Sequence, residues 1–213
     1  MNVARAYRCL AALGRPVVRT SDVAALFGES AFAASKTLSR LSAAELVRPI
    51  RHGLFWVAAG PIDPYVLPEY LTDPYPSYVS LQTALYLHGM IEQIPDVLYV
   101  VSLARTARVR TTVGTFSLHR VAPRFFGGFE TRASGAKVAT PEKALVDVAY
   151  LSSGKTRLFR ALPELELPRR FRHRVARDWI ARLASEKTRV RVTRAYEALC
   201  SKATPARRRG GDA

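Results

Sequence analysis

The chain has 213 residues, 48% of them hydrophobic, and a formal net charge of +16 with a sequence pI near 10.6. That composition excludes wholesale disorder, and no apolar run approaches the roughly 18 residues that cross a bilayer. Two cysteines, Cys9 and Cys200, and four scattered histidines have neither disulfide nor metal-ligand spacing, so a reduced cytoplasm is the expected compartment, without metal or cofactor. The N-terminal MNVARAYRCLAALGRP lacks the layout of a signal peptide. A positive charge of this size points to nucleic acid as the partner.

Residues 2–13 predict a first helix, with Val3, Tyr7, Leu10 and Leu13 at three- and four-residue spacing, stopped by Gly14-Arg15-Pro16. Thr20-Ser21-Asp22 supplies N-caps for a short helix over 23–27, which Gly28 ends. Ser30 opens a third helix whose inward stripe is Ala34, Leu38, Leu41 and Leu46. Its other face carries Ser35, Lys36, Ser39 and Arg40. Two strands follow, about 47–51 and 54–58, joined at His52-Gly53. Three helices and a hairpin are the plan of the winged helix-turn-helix, and ASKTLSRLSAAELVRPIRHGLFWV resembles that superfamily. A reading helix in the major groove needs small residues for close approach and a few donors for base edges and phosphates. By that logic Ser35, Lys36, Thr37 and Ser39 face bases, while Arg40, Arg51 and His52 reach phosphate or minor groove. Phe32, near the helix start, fits core, staple or base-contacting wedge alike. The alternative for this segment is a small helical domain used for protein contacts.

Charge is uneven. Residues 1–60 hold eight Lys/Arg against three acids, residues 61–150 hold eight of each, and residues 151–213 hold seventeen against six. Five prolines between 61 and 76, in GPIDPYVLPEYLTDPYP, exclude a continuous helix and favour an extended, stiff connector that packs on something. The expected division is therefore a DNA-binding domain over 1–60, a connector over 61–76, a second domain over 77–203, and a disordered basic tail over 204–213. DNA binding should then separate from the rest of the chain at the proline segment, with residues 77–213 folding alone.

In the second domain Ser80 caps a helix through His88, closed by Gly89. Segments 97–102 and 115–121 read as strands, the first central because it is almost continuously apolar. The ARTARVRTT between them is a basic loop or hairpin arm carrying Arg105, Arg108 and Arg110. ATPEKALVDVAYL, residues 139–151, packs Glu142, Lys143 and Asp147 together and could be taken for a catalytic set. Each has an ordinary alternative. Thr140 caps, Pro141 suits the first helical position, Glu142 meets the helix dipole, and Lys143 pairs with Asp147 across one turn. On that reading the three only start or solubilise a helix, and their neutral variants should function nearly as wild type.

The same stretch, with YVSLQTALYLHGMIEQIPDVLYVVS, GTFSLHRV and FFGGFE upstream, resembles the C-terminal domain of the AbiEi antitoxin family of type IV toxin–antitoxin systems. With the N-terminal segment, the likeness spans nearly the whole chain before the tail. It implies an α+β protein: an N-terminal winged helix-turn-helix, then a mixed α/β domain ending in helices. It also implies repression of its own operon and neutralisation of a nucleotidyltransferase-fold toxin, in the setting of phage defence. The partners expected are double-stranded operator DNA with inverted repeats and the cognate toxin. The chain would be a monomer in solution, with more than one copy on the operator, and no membrane is involved. A nucleic-acid-processing enzyme with a winged-helix targeting domain is the alternative.

Two amphipathic helices close the chain. In RRFRHRVARDWIARLASE the apolar stripe is Phe171, Val175, Trp179 with Ile180, and Leu183. Arg170, Arg174 and Arg177 line another face at helical spacing, as a phosphate-tracking surface that strengthens binding without specifying sequence. In RVRVTRAYEALCSK the stripe is Val192, Tyr196 and Leu199.

Overall fold

The computed structural model describes residues 2–57, 59–152 and 164–205. It begins with α1 (Val3–Ala11), β1 (Val17–Arg19), α2 (Thr20–Phe27), α3 (Ala31–Ala43), β2 (Arg48–Arg51) and β3 (Leu54–Trp56). Capping sets the helix starts: the Asn2 side chain accepts from the Ala4 N–H, and Ser30 Oγ from the Ala33 N–H at 3.2 Å. Asp22 reaches back to accept the Arg19 N–H at 2.8 Å, so α2 starts at Thr20, a turn earlier than the sequence suggested. Gly28, at φ 62°, ends it. The expected hairpin is present, and β1 adds a third strand by pairing antiparallel with β3, giving the order β1-β3-β2.

The proline segment is not extended throughout. It holds α4 (Leu67–Thr72), with Pro68 in the first turn where its missing N–H costs nothing. Leu67 is fully buried.

The second half runs β4 (Ser77–Val79), α5 (Leu81–Leu87), β5 (Leu98–Ser102), β6 (Ala107–Thr111), β7 (Gly114–Arg120), β8 (Phe129–Thr131), β9 (Lys137–Ala139), α6 (Pro141–Ser152), β10 (Glu166–Leu167), α7 (His173–Ala181), α8 (Glu186–Lys202) and β11 (Thr204–Pro205). Six strands form one sheet in the order β6-β7-β5-β4-β9-β8, parallel at β5/β7 and β4/β9 and antiparallel elsewhere. The whole is α+β. Thr204 and Pro205, assigned from sequence to the tail, instead pair in parallel with Glu166 and Leu167. The rest of that tail, 206–213, lies outside the described residues.

Strand alternation makes both sheets two-faced. On β5, Val101 enters a core with α5, α6, α7 and α8, whereas Val100 enters a different one. On β3, Phe55 packs toward α1–α3, whereas Leu54 and Trp56 face the other way. The two remaining faces meet. Val17, Ile50, Leu54 and Trp56 of the small sheet share one core with Leu67 of α4 and with Val100, Phe116 and Leu118 of the large sheet. The layers therefore run helices, small sheet, large sheet, helices. Arg19 joins the halves further: its guanidinium donates to the Tyr70 carbonyl at 2.7 Å and pairs with Asp73 at 3.2 Å.

His119 on β7 is buried, in hydrogen-bond contact with Ser117 Oγ at 2.9 Å, and burial pushes its pKa down from 6.5 to about 4. Its folded pKa lies below its unfolded one, so the unfolded chain binds more protons between these values. Its contribution to stability is complete above pH 6.5 and is lost as pH falls toward 4. His119→Gln should therefore narrow the difference in urea midpoint between about pH 7 and pH 5; an unaltered difference would mean another group sets it.

Candidate nucleic-acid interface

Helix α3 rests on α1 and α2 through the buried Ala34, Leu38 and Leu41. Ser35, Lys36, Ser39 and Arg40 are exposed on its outer side, as the spacing required. Ser39 Oγ donates to the Ser35 carbonyl at 3.0 Å, and Arg40 donates to Thr37 Oγ1 at 3.2 Å. Thr37 itself does not face outward. It is only 4% exposed, because positions 34, 37, 38 and 41 share the core side of the helix. It can order Arg40 but not read a base. Phe32 is neither core nor staple: it stands 71% exposed, with Lys36 Nζ 4.4 Å from its ring centroid.

The β2–β3 turn presents Arg51 and His52, both exposed. Gly53 at φ 73° closes it, a left-handed conformation that suits glycine. Arg48, also exposed, donates to the Gly60 carbonyl.

The C-terminal arginines are arranged differently from expectation. Helix α7 starts only at His173, because the Arg172 N–H is held by Glu142 Oε1 at 3.0 Å and Arg172 keeps non-helical angles. Arg170 therefore lies in the preceding turn, and the three-arginine helical stripe reduces to Arg174 and Arg177, both exposed. Arg177 borders a cavity of about 570 Å³ between α7 and α8, with Arg189, Arg194 and Ile180. Since α3 packs on α1 and α2, and α7 on α6 and α8, the two arginine sets belong to the two outer helical layers.

ATPEKALVDVAYL is not a solubilising helix start. Glu142, Lys143 and Asp147 are 3%, 0% and 0% exposed. Lys143 Nζ pairs with Asp147 Oδ1 and donates to Tyr78 Oη at 2.9 Å, while the rings of Phe125 and Trp179 lie 4.1 and 5.0 Å from it. Asp147 Oδ2 accepts from Ser80 Oγ at 2.7 Å and from Tyr78 at 3.1 Å. Burial pushes Tyr78 well up, Lys143 down and Asp147 up, and the last two shifts are opposed by the partner's charge. Glu142 is held below its ordinary value, although burial acts to raise it, by its own backbone N–H and by the Arg172 N–H and guanidinium. The expectation of solvent-facing charges fails because Ala144, Leu145, Val146, Val148 and Ala149 are all buried too. A helix apolar all round is covered all round, and that signal was available in the sequence. The FFGGFE motif completes the cover. A Cβ on Gly128 would come within 2.9 Å of Lys143 Cγ and 2.8 Å of the Trp179 ring.

A family model described as the AbiEi antitoxin C-terminal domain matches residues 78–201, from β4 to the last turn of α8. The match takes in Tyr78, Ser80, Lys143 and Asp147 together. No curated protein gives a significant match.

Proposed function

Because this chain belongs to the AbiEi antitoxin family, we propose that it represses its own operon by binding DNA and neutralises a nucleotidyltransferase-like toxin. The antitoxin domain implies a toxin partner, and residues 78–201 are where we place neutralisation. The observation that carries the DNA half is the exposed Ser35, Lys36, Ser39 and Arg40 on one helix, beside the exposed Arg51–His52 turn. They stand on three helices and a three-stranded sheet in the chain order of a winged helix-turn-helix. Lys36 and the two serines read base edges; Arg40, Arg51 and His52 take phosphate or minor groove. Arg174 and Arg177 add charge without specificity. A monomer in solution would occupy inverted repeats as two or more copies, in the cytoplasm where the operon lies. Among the described residues no helix is long and apolar enough to cross a membrane. An enzymatic alternative would need its acid and base open to substrate, and Glu142, Lys143 and Asp147 are closed off.

The test uses the full chain and a duplex taken from just upstream of its own reading frame. If about 6–10 phosphates are neutralised, log affinity against log salt should fall with a slope near −5 to −9; a slope near −1 ends the DNA reading. Lys36→Ala should weaken that duplex more than random DNA, by roughly 1–3 kcal/mol, whereas Arg40→Ala should weaken both alike. If neither substitution alters binding, α3 is not the reading helix. Neutralisation is tested by growth rescue on co-expression with the cognate toxin. Full toxicity beside a folded antitoxin would reject that half.

A further inference from the structure

Phe32 is the most exposed of the large hydrophobic side chains among the described residues, at 71%. Single exposed apolar residues are ordinary on a protein surface, so its place on the helix is what counts. Ser30 caps α3, and Phe32 follows as the second helical residue. Ser35, Lys36 and Ser39 stand three, four and seven positions further on, the spacing that puts all four on one helix face. All four are exposed, and Phe32 takes no part in the core beneath α3. The face that carries the donors is therefore headed by an aromatic ring, at the end of a reading helix that meets base edges.

Ring and ammonium are joined. Lys36 Nζ stands 4.4 Å from the Phe32 ring centroid, one turn along the helix. None of the ion pairs among the described residues engages Lys36. An ammonium has three donors, so a lysine held against a ring face still has donors for another group. Phe32 has no donor or acceptor of its own. In the major groove the base edges offer donors, acceptors and one apolar group, the C5 methyl of thymine. That methyl is the base-edge feature that a phenyl ring matches.

We propose that Phe32 reads a thymine, packing its ring on the C5 methyl in the major groove and setting Lys36 beside it toward the neighbouring base edge; this rests on the DNA reading above. Contacts with phosphate position a protein without carrying sequence information, whereas this contact carries sequence information without charge. It therefore decides which duplex is preferred and leaves the salt dependence to the basic residues.

The experiment uses the full chain and the upstream duplex, with thymines replaced by deoxyuridine one at a time, which removes the methyl and keeps the base pairing. In wild type at least one replacement should lower affinity roughly fourfold, the worth of one buried methyl group. Phe32→Ala should lose at least as much on the unmodified duplex and be indifferent to that same replacement. Its affinity for random DNA and its salt slope should match wild type, and so should its urea midpoint, because the ring is exposed. A wild type indifferent to every replacement overturns the thymine contact. So does a Phe32→Ala variant that keeps the sensitivity to the methyl; the ring would then face something other than a base. In both cases a steep wild-type salt slope leaves the proposed function standing. A wild-type slope near −1 fails the DNA reading itself, and the thymine contact with it.

Discussion

Lys143→Met should lower the stability of the full chain by roughly 3–5 kcal/mol, the cost of leaving a buried charge without its partner. Asp147 is fully buried, and without the ammonium it keeps only the Ser80 and Tyr78 hydroxyls as donors. Asp147→Asn strands the lysine in the same way among the Phe125 and Trp179 rings, whose faces soften the loss without replacing an anion. The double change Lys143→Met/Asp147→Leu removes both charges and should recover part of the loss. Recovery is incomplete because Tyr78 Oη and Ser80 Oγ then lose buried partners, at about 1–3 kcal/mol each. Urea midpoints of the two single variants and the double variant measure all three effects. Singles within about 0.5 kcal/mol of wild type would mean that the site opens to water in solution. Growth rescue should follow stability across this series, since both Lys143 and Asp147 are closed off from substrate. Loss of rescue in a variant as stable as wild type would reopen the enzymatic reading.

The parts of the molecule legible in the sequence were those governed by local pattern. Ser30 as a cap, Gly28 as a stop and the Ala34/Leu38/Leu41 stripe located α3 because capping and helical spacing act within a few residues. The nearly unbroken apolar run of β5 predicts a central strand, and β5 lies third of six in the sheet with a core on each face. The failures were non-local. β1 is three residues long, too short to show a period, and exists because β3 offers it an edge. Thr37 was assigned to the outward face by its hydroxyl, although its position puts it on the inward one. Arg170 has helical spacing in the sequence, yet the helix starts three residues later, because Glu142, 30 residues before Arg172, holds the Arg172 N–H. The proline segment read as a spacer because prolines signal backbone restriction, and nothing local says that Leu67 fills a core between two sheets.

A chain cut to residues 77–213 should not fold as an independent unit, against what the proline segment suggested. The cut removes Val17, Ile50, Leu54, Trp56 and Leu67, and so uncovers Val100, Phe116 and Leu118, now 0%, 0% and 4% exposed. Burying a side chain of this size contributes roughly 1.5–3 kcal/mol. Losing three, about 4.5–9 kcal/mol together, is as large as the whole stability of a domain in the lower half of the usual range of about 5–15 kcal/mol. The β6–β7 hairpin also loses the two hydrogen bonds that Thr112 donates to the Pro49 and Ile50 carbonyls, and the exposed apolar face of a central strand invites aggregation. The full chain should therefore unfold in one transition whether followed by Trp56 in the small sheet or by Trp179 on α7. Two point changes probe the same core without a truncation. Trp56→Ala and Phe116→Ala should each cost about 3–5 kcal/mol, and their double variant should cost less than the sum, because both empty one shared space. Additivity together with a cooperative, soluble 77–213 fragment would show that the interface contributes little and that the halves fold separately. If instead the coupling is found, a substitution that loosens the reading half will lower neutralisation as well, through stability alone.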